Sequence, residues 1–151
     1  MLTAQVEPWT AMLEQLKPMF PAHWEELALN KDHVPLDPQY DIYLERDRRG
    51  ELLLITLRQD GDLVGYFIGF IAPGLHYKTC LTLTMDIFYV WPGARGLNGG
   101  IIMFKAVHAE AKRRGVQRIF AGSKLHADAS WLFEKLGYEE VERYHSLWLG
   151  E

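Results

Sequence analysis

The sequence predicts a mixed α/β domain, and three observations carry that expectation. Two apolar runs, Glu51 to Arg58 and Asp62 to Ile71, flank Gln59-Asp60-Gly61-Asp62, a turn of the Asp-Gly hairpin type. A third apolar run, Leu81 to Val90, passes through a glycine-rich turn into an amphipathic helical pattern that ends at Lys112-Arg113-Arg114-Gly115. Ahead of all three, Trp9, Met12, Leu13, Leu16 and Phe20 recur at helical spacing.

Taken in order, Trp9 to Met19 and Pro21 to Leu29 read as two helices, Pro21 suiting a first turn where its missing N–H costs nothing. Asn30 to Tyr40 contains two prolines that forbid a continuing helix, so it reads as a linker. Tyr40 to Asp47 is a short helix or an extended piece. Leu52 to Leu57 is nearly all apolar, as expected for a strand covered on both faces. After the long helix come a short strand, Val116 to Ala121, a helix closing with Phe133-Glu134-Lys135-Leu136-Gly137-Tyr138, and a last strand, Ser146 to Leu149. With 151 residues, 48% of them hydrophobic, and neither repeat nor low-complexity tract, the whole of 1–151 is expected to be one domain with a sizeable core.

Composition excludes several function classes. A formal net charge of −4 argues against electrostatic wrapping of nucleic acid or of an anionic membrane. Lys112, Arg113 and Arg114 form a basic run, but at a helix C-terminus such a run commonly serves the helix dipole. The single cysteine, Cys80, rules out a disulfide framework, and no apolar run reaches the roughly 18 residues of a membrane span. A cytoplasmic location follows as an expectation. His23, His33, His108 and His145 show no metal-ligand spacing with one another or with Cys80, so no metal is expected.

The turn Pro92-Gly93-Ala94-Arg95-Gly96-Leu97-Asn98-Gly99-Gly100 is where chemistry is expected. Pro92 and Gly93 stop the strand, and Gly96, Gly99 and Gly100 allow close backbone approach to a ligand. The first free N–H groups of the helix then favour an anion, to which Arg95 adds a charge-assisted bond. A tight strand-to-helix connection explains the same residues without a ligand. The order Gly96-x-x-Gly99-Gly100 misses the dinucleotide fingerprint, and no Gly-Lys-Ser/Thr follows.

Arg95-x-x-Asn98-x-Gly100, preceded by Tyr89-Val90-Trp91-Pro92, resembles the Gln/Arg-x-x-Gly-x-Gly/Ala signature of the GNAT superfamily of acyl-CoA N-acyltransferases. The succession of elements over residues 51–149 is similar as well. Asn98 replaces the signature's first glycine, and Asn tolerates positive φ better than other side chains do. The resemblance implies a central, mostly antiparallel, splayed sheet of about six or seven strands flanked by helices, with acetyl-CoA as cofactor. It implies that the backbone of Phe88, Tyr89 and Val90 holds the pantetheine arm as a false extra strand, with Arg95, Gly96, Leu97, Asn98, Gly99 and Gly100 around the phosphates. His126 falls where relatives place a cofactor-contacting Asn, although His126 or Asp128 could equally cap the following helix.

Under that resemblance Asp86 accepts the proton of an attacking amine, directly or through water. An amine of pKa about 10 is almost wholly protonated at pH 7, so a proton acceptor is needed. Strand alternation predicts Asp86, Phe88 and Val90 on one face. The bland alternative is an Asp that bonds a neighbouring loop. Phe133, implied as a cofactor contact, stands where many relatives carry the tyrosine that protonates the thiolate, so Tyr138 is the candidate acid, with Tyr89 or water as substitutes. The loop from Pro73 to Cys80 brings His76 and Tyr77 forward as candidate acceptor contacts. The implied reaction is direct acetyl transfer to a primary amine of a small molecule or a protein lysine, and a homodimer is compatible with it. The alternative is a weak or inactive GNAT-fold binding or inhibitor protein, a reading that Phe133 and Asn98 leave open. Pro18-Met19-Phe20-Pro21-x-His23-Trp24-Glu25-Glu26-Leu27-Ala28 with Leu75-His76-Tyr77-Lys78 further resembles small GNAT proteins of bacteriophages, for which host cytoplasm would be the location.

Overall fold

The computed structural model describes residues 1–150, apart from the side chain of Leu97. The elements run β1 (Leu2–Val6), α1 (Trp9–Leu16), a 3-10 turn, α2 (Phe20–Leu27), α3 (Tyr40–Arg48), β2 (Leu52–Gln59), β3 (Asp62–Pro73) and β4 (Leu81–Val90). A second 3-10 stretch (Pro92–Leu97) leads to α4 (Gly99–Arg113), β5 (Arg118–Phe120) and α5 (Ser130–Lys135). The sheet has the order β1-β2-β3-β4-β5. Its first four strands are antiparallel neighbours, and β5 joins β4 in parallel through Thr82–Thr84 opposite Arg118–Phe120.

The structure differs from the sequence expectation in four respects. The described sheet has five strands, fewer than the six or seven expected. β1 is an unpredicted edge strand, too short for a periodic signal, and it is held by pairing Leu2–Val6 with Ile55–Gln59. Ser146 to Leu149 forms no strand: Leu147 and Leu149 are exposed and Trp148 stacks on His33 with ring centroids 5.1 Å apart. The segment Val116 to Ala121 contracts to three paired residues.

Alternation along β2 and β3 feeds two cores, one on each side of the sheet. Leu53, Ile55, Leu57 and Phe67 join Met103, Phe104 and Val107 of α4. On the opposite side Leu52, Leu54, Tyr66 and Ile68 pack on Trp9, Met12 and Leu16 of α1 and on Phe20 of α2. Thus the almost uninterrupted apolar run of β2 is covered on both faces, as the sequence requires.

One irregularity decides what β4 presents. Ile68 stands opposite Ile87 and Gly69 opposite Met85, so Asp86 is the extra residue of a β-bulge. Leu83 and Met85 contribute to the α4 core, whereas beyond the bulge Phe88 and Val90 do so, and the side-chain alternation has slipped by one. Gly69 is required there: a Cβ would lie 2.7 Å from Leu83 Cδ1 and 2.9 Å from Phe67 Cε1.

Candidate active site

The bulge corrects the expectation that Asp86, Phe88 and Val90 share a face. Asp86 turns to the α1–α3 side, where the Tyr43 hydroxyl of α3 donates to Asp86 Oδ2 at 2.5 Å. Tyr43 is itself held by stacking on the fully buried Trp9, with centroids 4.8 Å apart. Burial pushes the Asp86 carboxyl above the usual carboxylate range, although the Tyr43 bond opposes that shift. The Tyr43 phenol is raised too, by burial first and then by its bond to Asp86.

Because β5 pairs only with Thr82–Thr84, no strand among the described residues neighbours β4 on that side from Met85 to Val90. A cleft of about 350 Å³ opens beside that free stretch. Phe88, Tyr89 and Val90 form one wall, Asn98, Gly100 and Ile101 the start of α4, and Ala127, Asp128, Trp131 and Leu132 the far side. Glu26 and Leu27, at the end of α2, complete it.

Asn98 adopts the left-handed conformation at φ 61°, as an Asn can, and it caps α4 with no side-chain bond. Gly100 and Ile101 of the first turn of this 15-residue helix line the cleft, and the N-cap side chain takes none of its N–H groups. The glycines around it have separate uses. A Cβ on Gly99 would sit 2.9 Å from Leu57 Cδ2 and 3.1 Å from the Ala94 carbonyl, and one on Gly100 would sit 3.0 Å from Leu132 Cδ2. They let α4 start close against β2 and α5. Gly96 is exposed with no atom within 4 Å of an added Cβ, so it is not forced by packing. The expectation for the Leu97 side chain lies outside the described residues.

Arg95 is the cation of the cleft wall, and it is already engaged. Its Nε donates to the Val90 carbonyl at 2.8 Å, its Nη2 donates to Glu26 Oε2 at 2.6 Å, and its guanidinium lies 5.5 Å from the Tyr89 ring centroid. The Arg95 bond holds the Glu26 carboxyl below the usual range. Beneath them, His23 stacks on Tyr89 at 4.9 Å, and its Nδ1 shares a 2.5 Å hydrogen bond with the Tyr66 hydroxyl. Burial lowers the His23 pKa to about 4.

The remaining expected residues lie elsewhere. Phe133 is buried, packing edge-on against Phe88 and Phe104, and does not line the cleft. Tyr138 lies behind it, its hydroxyl 2.7 Å from His108 Nε2, and burial pushes its pKa up to about 12. His126 is exposed and its neighbours Ala127 to Ala129 line the cleft instead, while Asp128 Oδ1 accepts from the Ser130 N–H at 2.9 Å. His76 and Tyr77 are exposed on the β3–β4 connection, and Tyr77 lies under the Arg118 guanidinium. Seven residues of extended strand, roughly 24 Å, separate Leu81 next to that connection from Phe88 at the cleft. Sequence reasoning missed Glu26, His23 and Tyr43, because residues on the N-terminal helices read as solvent-facing or core positions with nothing to mark a site.

A sequence profile of the Acetyltransferase (GNAT) family matches residues 9–138. The chain belongs to this family. GNAT chemistry is acetyl transfer from an acyl-CoA, and solved structures agree on the fold. A ribosomal-protein-alanine N-acetyltransferase from Brucella melitensis biovar Abortus 2308 superposes with a TM-score of 0.73 at 14% identity, covering 99% of this chain and 100% of that one. An acetyltransferase from Clostridium acetobutylicum, solved with acetyl-CoA, gives 0.70 at 13%, covering 99% and 97%. An aminoglycoside acetyltransferase from an uncultured soil metagenomic sample gives 0.76 at 15%, covering 99% of each. No curated protein matches the chain in sequence. Among the described residues no helix is long and apolar enough to cross a membrane, and no group of three or more His, Cys, Asp or Glu could hold a metal.

The cleft of this GNAT domain fits the family's cofactor. A helix start free of side-chain caps suits phosphate oxygens, and a strand stretch without a neighbour suits an extended amide-bearing arm. Arg95 is the cation on the cleft wall, paired with Glu26.

Proposed function

We propose that this GNAT protein transfers the acetyl group of acetyl-CoA to a primary amine by direct attack. The observation that carries the reading is the cleft between the unpaired stretch of β4 and the uncapped start of α4. The amides of α4's first turn and Arg95 would hold the phosphates, and the backbone of Phe88 to Val90 would hold the arm. Bound acetyl-CoA supplies a thioester whose carbonyl carbon a free amine attacks as the thiolate leaves.

Asp86 is the proposed proton acceptor. It sits two residues from Phe88 but faces the α1–α3 side, so the acceptor would come from there. Its burial favours keeping a proton at a higher pH than an ordinary carboxylate does, which makes it a stronger base than an exposed aspartate. Tyr43, by donating to Oδ2, leaves the other carboxylate oxygen for the amine. Tyr138 has no part in this reading, since its hydroxyl is engaged by His108 behind Phe133.

Titration calorimetry with acetyl-CoA, followed by thiol release with a panel of amines, tests the proposal on the wild type and Asp86→Asn. Expected are cofactor binding by both proteins and turnover that falls far more than affinity in the variant, with the deficit shrinking at high pH. Failure of the wild type to bind acetyl-CoA would refute the function. Loss of acetyl-CoA affinity in the variant would refute the role of Asp86 alone.

A further inference from the structure

Arg95 is the cation facing the proposed cofactor site, yet one of its two N–H edges is spent on Glu26, a carboxylate from a different element that lines the same cleft. The pair is half-open to solvent, with side-chain exposures of 44% for Arg95 and 32% for Glu26. Nothing in the α2 helix requires an acid at this position. The helix buries Phe20 and His23 on one side and directs Glu26 into the cleft. An anionic group arriving at the α4 terminus would meet a cation already neutralised and a carboxylate beside it.

Resting on the reading of this cleft as a coenzyme A site, we propose that Glu26 is a positioning residue that sets the cleft's affinity for phosphate by holding Arg95, and that Arg95 exchanges Glu26 for a phosphate oxygen when the cofactor binds. The second anchor of Arg95, the Val90 carbonyl 2.8 Å from Nε, lets the guanidinium pivot at its Nη2 end without leaving the β4 edge. Coulomb repulsion between Glu26 and the phosphates adds to the cost of lost pairing, and both terms act against binding. The exchange leaves the Glu26 carboxylate at the cleft wall without its cationic partner, held by the Tyr89 side chain.

The test is calorimetric titration of coenzyme A into the full chain and into Glu26→Gln, Arg95→Gln and the double variant. Glu26→Gln keeps the side-chain length while removing the charge that holds Arg95. It should tighten coenzyme A by roughly 2- to 5-fold, the size of a partly exposed ion pair, and the gain should be clearly smaller in the Arg95→Gln background, where only the repulsion between Glu26 and the phosphates remains. Unchanged or weaker binding in Glu26→Gln overturns the proposal, because a merely structural Glu26 would preorganise Arg95 or do nothing. Equal tightening with and without Arg95 also overturns it, since that reports simple repulsion and not exchange. If the wild type binds no coenzyme A, the reading of the cleft fails before this one is reached, so the two failures are distinguishable. Thermal melting of each free variant confirms that the comparison is made between folded proteins.

Discussion

The two faces of the sheet are built from the same strands but differ in chemistry. On the α4 side the centre of the core is hydrocarbon and aromatic, with Phe104 edge-on to Phe67, Phe88 and Phe133 at centroid distances of 5.2–5.4 Å, and the polar groups, His108 with Tyr138 and Glu110 with Arg113 and Arg114, lie at its rim. On the α1–α3 side, polar groups are buried in pairs: His23 with Tyr66, and Tyr43 with Asp86. The Trp9 indole N–H on this side has no partner. The lesson is a division of labour. The aromatic cluster fixes geometry at all pH values, while the polar pairs packed inside the other face tie stability and chemistry to pH. The cleft lies where the two meet, taking Phe88 and Val90 from one and Tyr89 and Glu26 from the other.

The largest effect should come from breaking the aromatic core. Phe104→Ala removes a fully buried ring from the centre of the aromatic cluster and should cost about 3–5 kcal/mol. Urea unfolding at pH 5 and pH 8 should give the same loss. A loss that changes with pH would mean that this core contains a titrating group, and the contrast between faces would fail.

The polar face should answer to acid through His23. Its folded pKa, near 4, lies below the ordinary 6.5, so the neutral ring contributes stability that is present above about pH 6.5 and is lost as pH falls toward 4. The full window is worth roughly 3 kcal/mol, with the opposing pull of neighbouring Glu26, which favours the charged ring, already included. Asp86 acts with the opposite sign: its raised folded pKa gives stability at low pH that is lost as pH rises through that value. His23→Gln keeps an acceptor for Tyr66 and should lose distinctly less stability than the wild type between pH 6.5 and 4. Parallel acid curves for the two proteins would exclude His23 as the source.

Much of this organisation is visible in the residues themselves. The Asp-Gly hairpin, the extent of β4 and the left-handed Asn98 follow from local rules of turn chemistry and apolar length. What the sequence hides is any feature set by pairing between distant segments. The bulge at Asp86 lies at the register shift between Ile68 and Gly69, where a Cβ on Gly69 would clash with Leu83 and Phe67, and period-two counting along β4 does not register that. Glu26 and Tyr43 enter through the packing of α2 and α3 onto the sheet. Ser146 to Leu149 carries strand-like residues without a partner strand, and propensity alone could not reveal that.

The smallest effect, and the one that most sharpens the contrast, concerns Tyr43→Phe. The ring remains stacked on Trp9, so only the hydroxyl bonded to Asp86 is lost. Removing a hydrogen bond to a partly buried carboxylate should cost about 1–2 kcal/mol at neutral pH. The same bond stabilises the charged form of Asp86, so its loss should raise the carboxyl pKa further above the usual range. At low pH, where the carboxyl is protonated in both proteins, the stability cost should shrink. If Asp86 accepts the amine's proton, the acidic limb of the kcat/KM profile should move to higher pH in Tyr43→Phe, while acetyl-CoA affinity stays as in the wild type. An acidic limb that stays in place, in a variant whose stability has responded as described, would show that Asp86 titrates but does not govern turnover. The polar face would then serve the fold alone, and the proton acceptor would have to be sought among the groups lining the cleft.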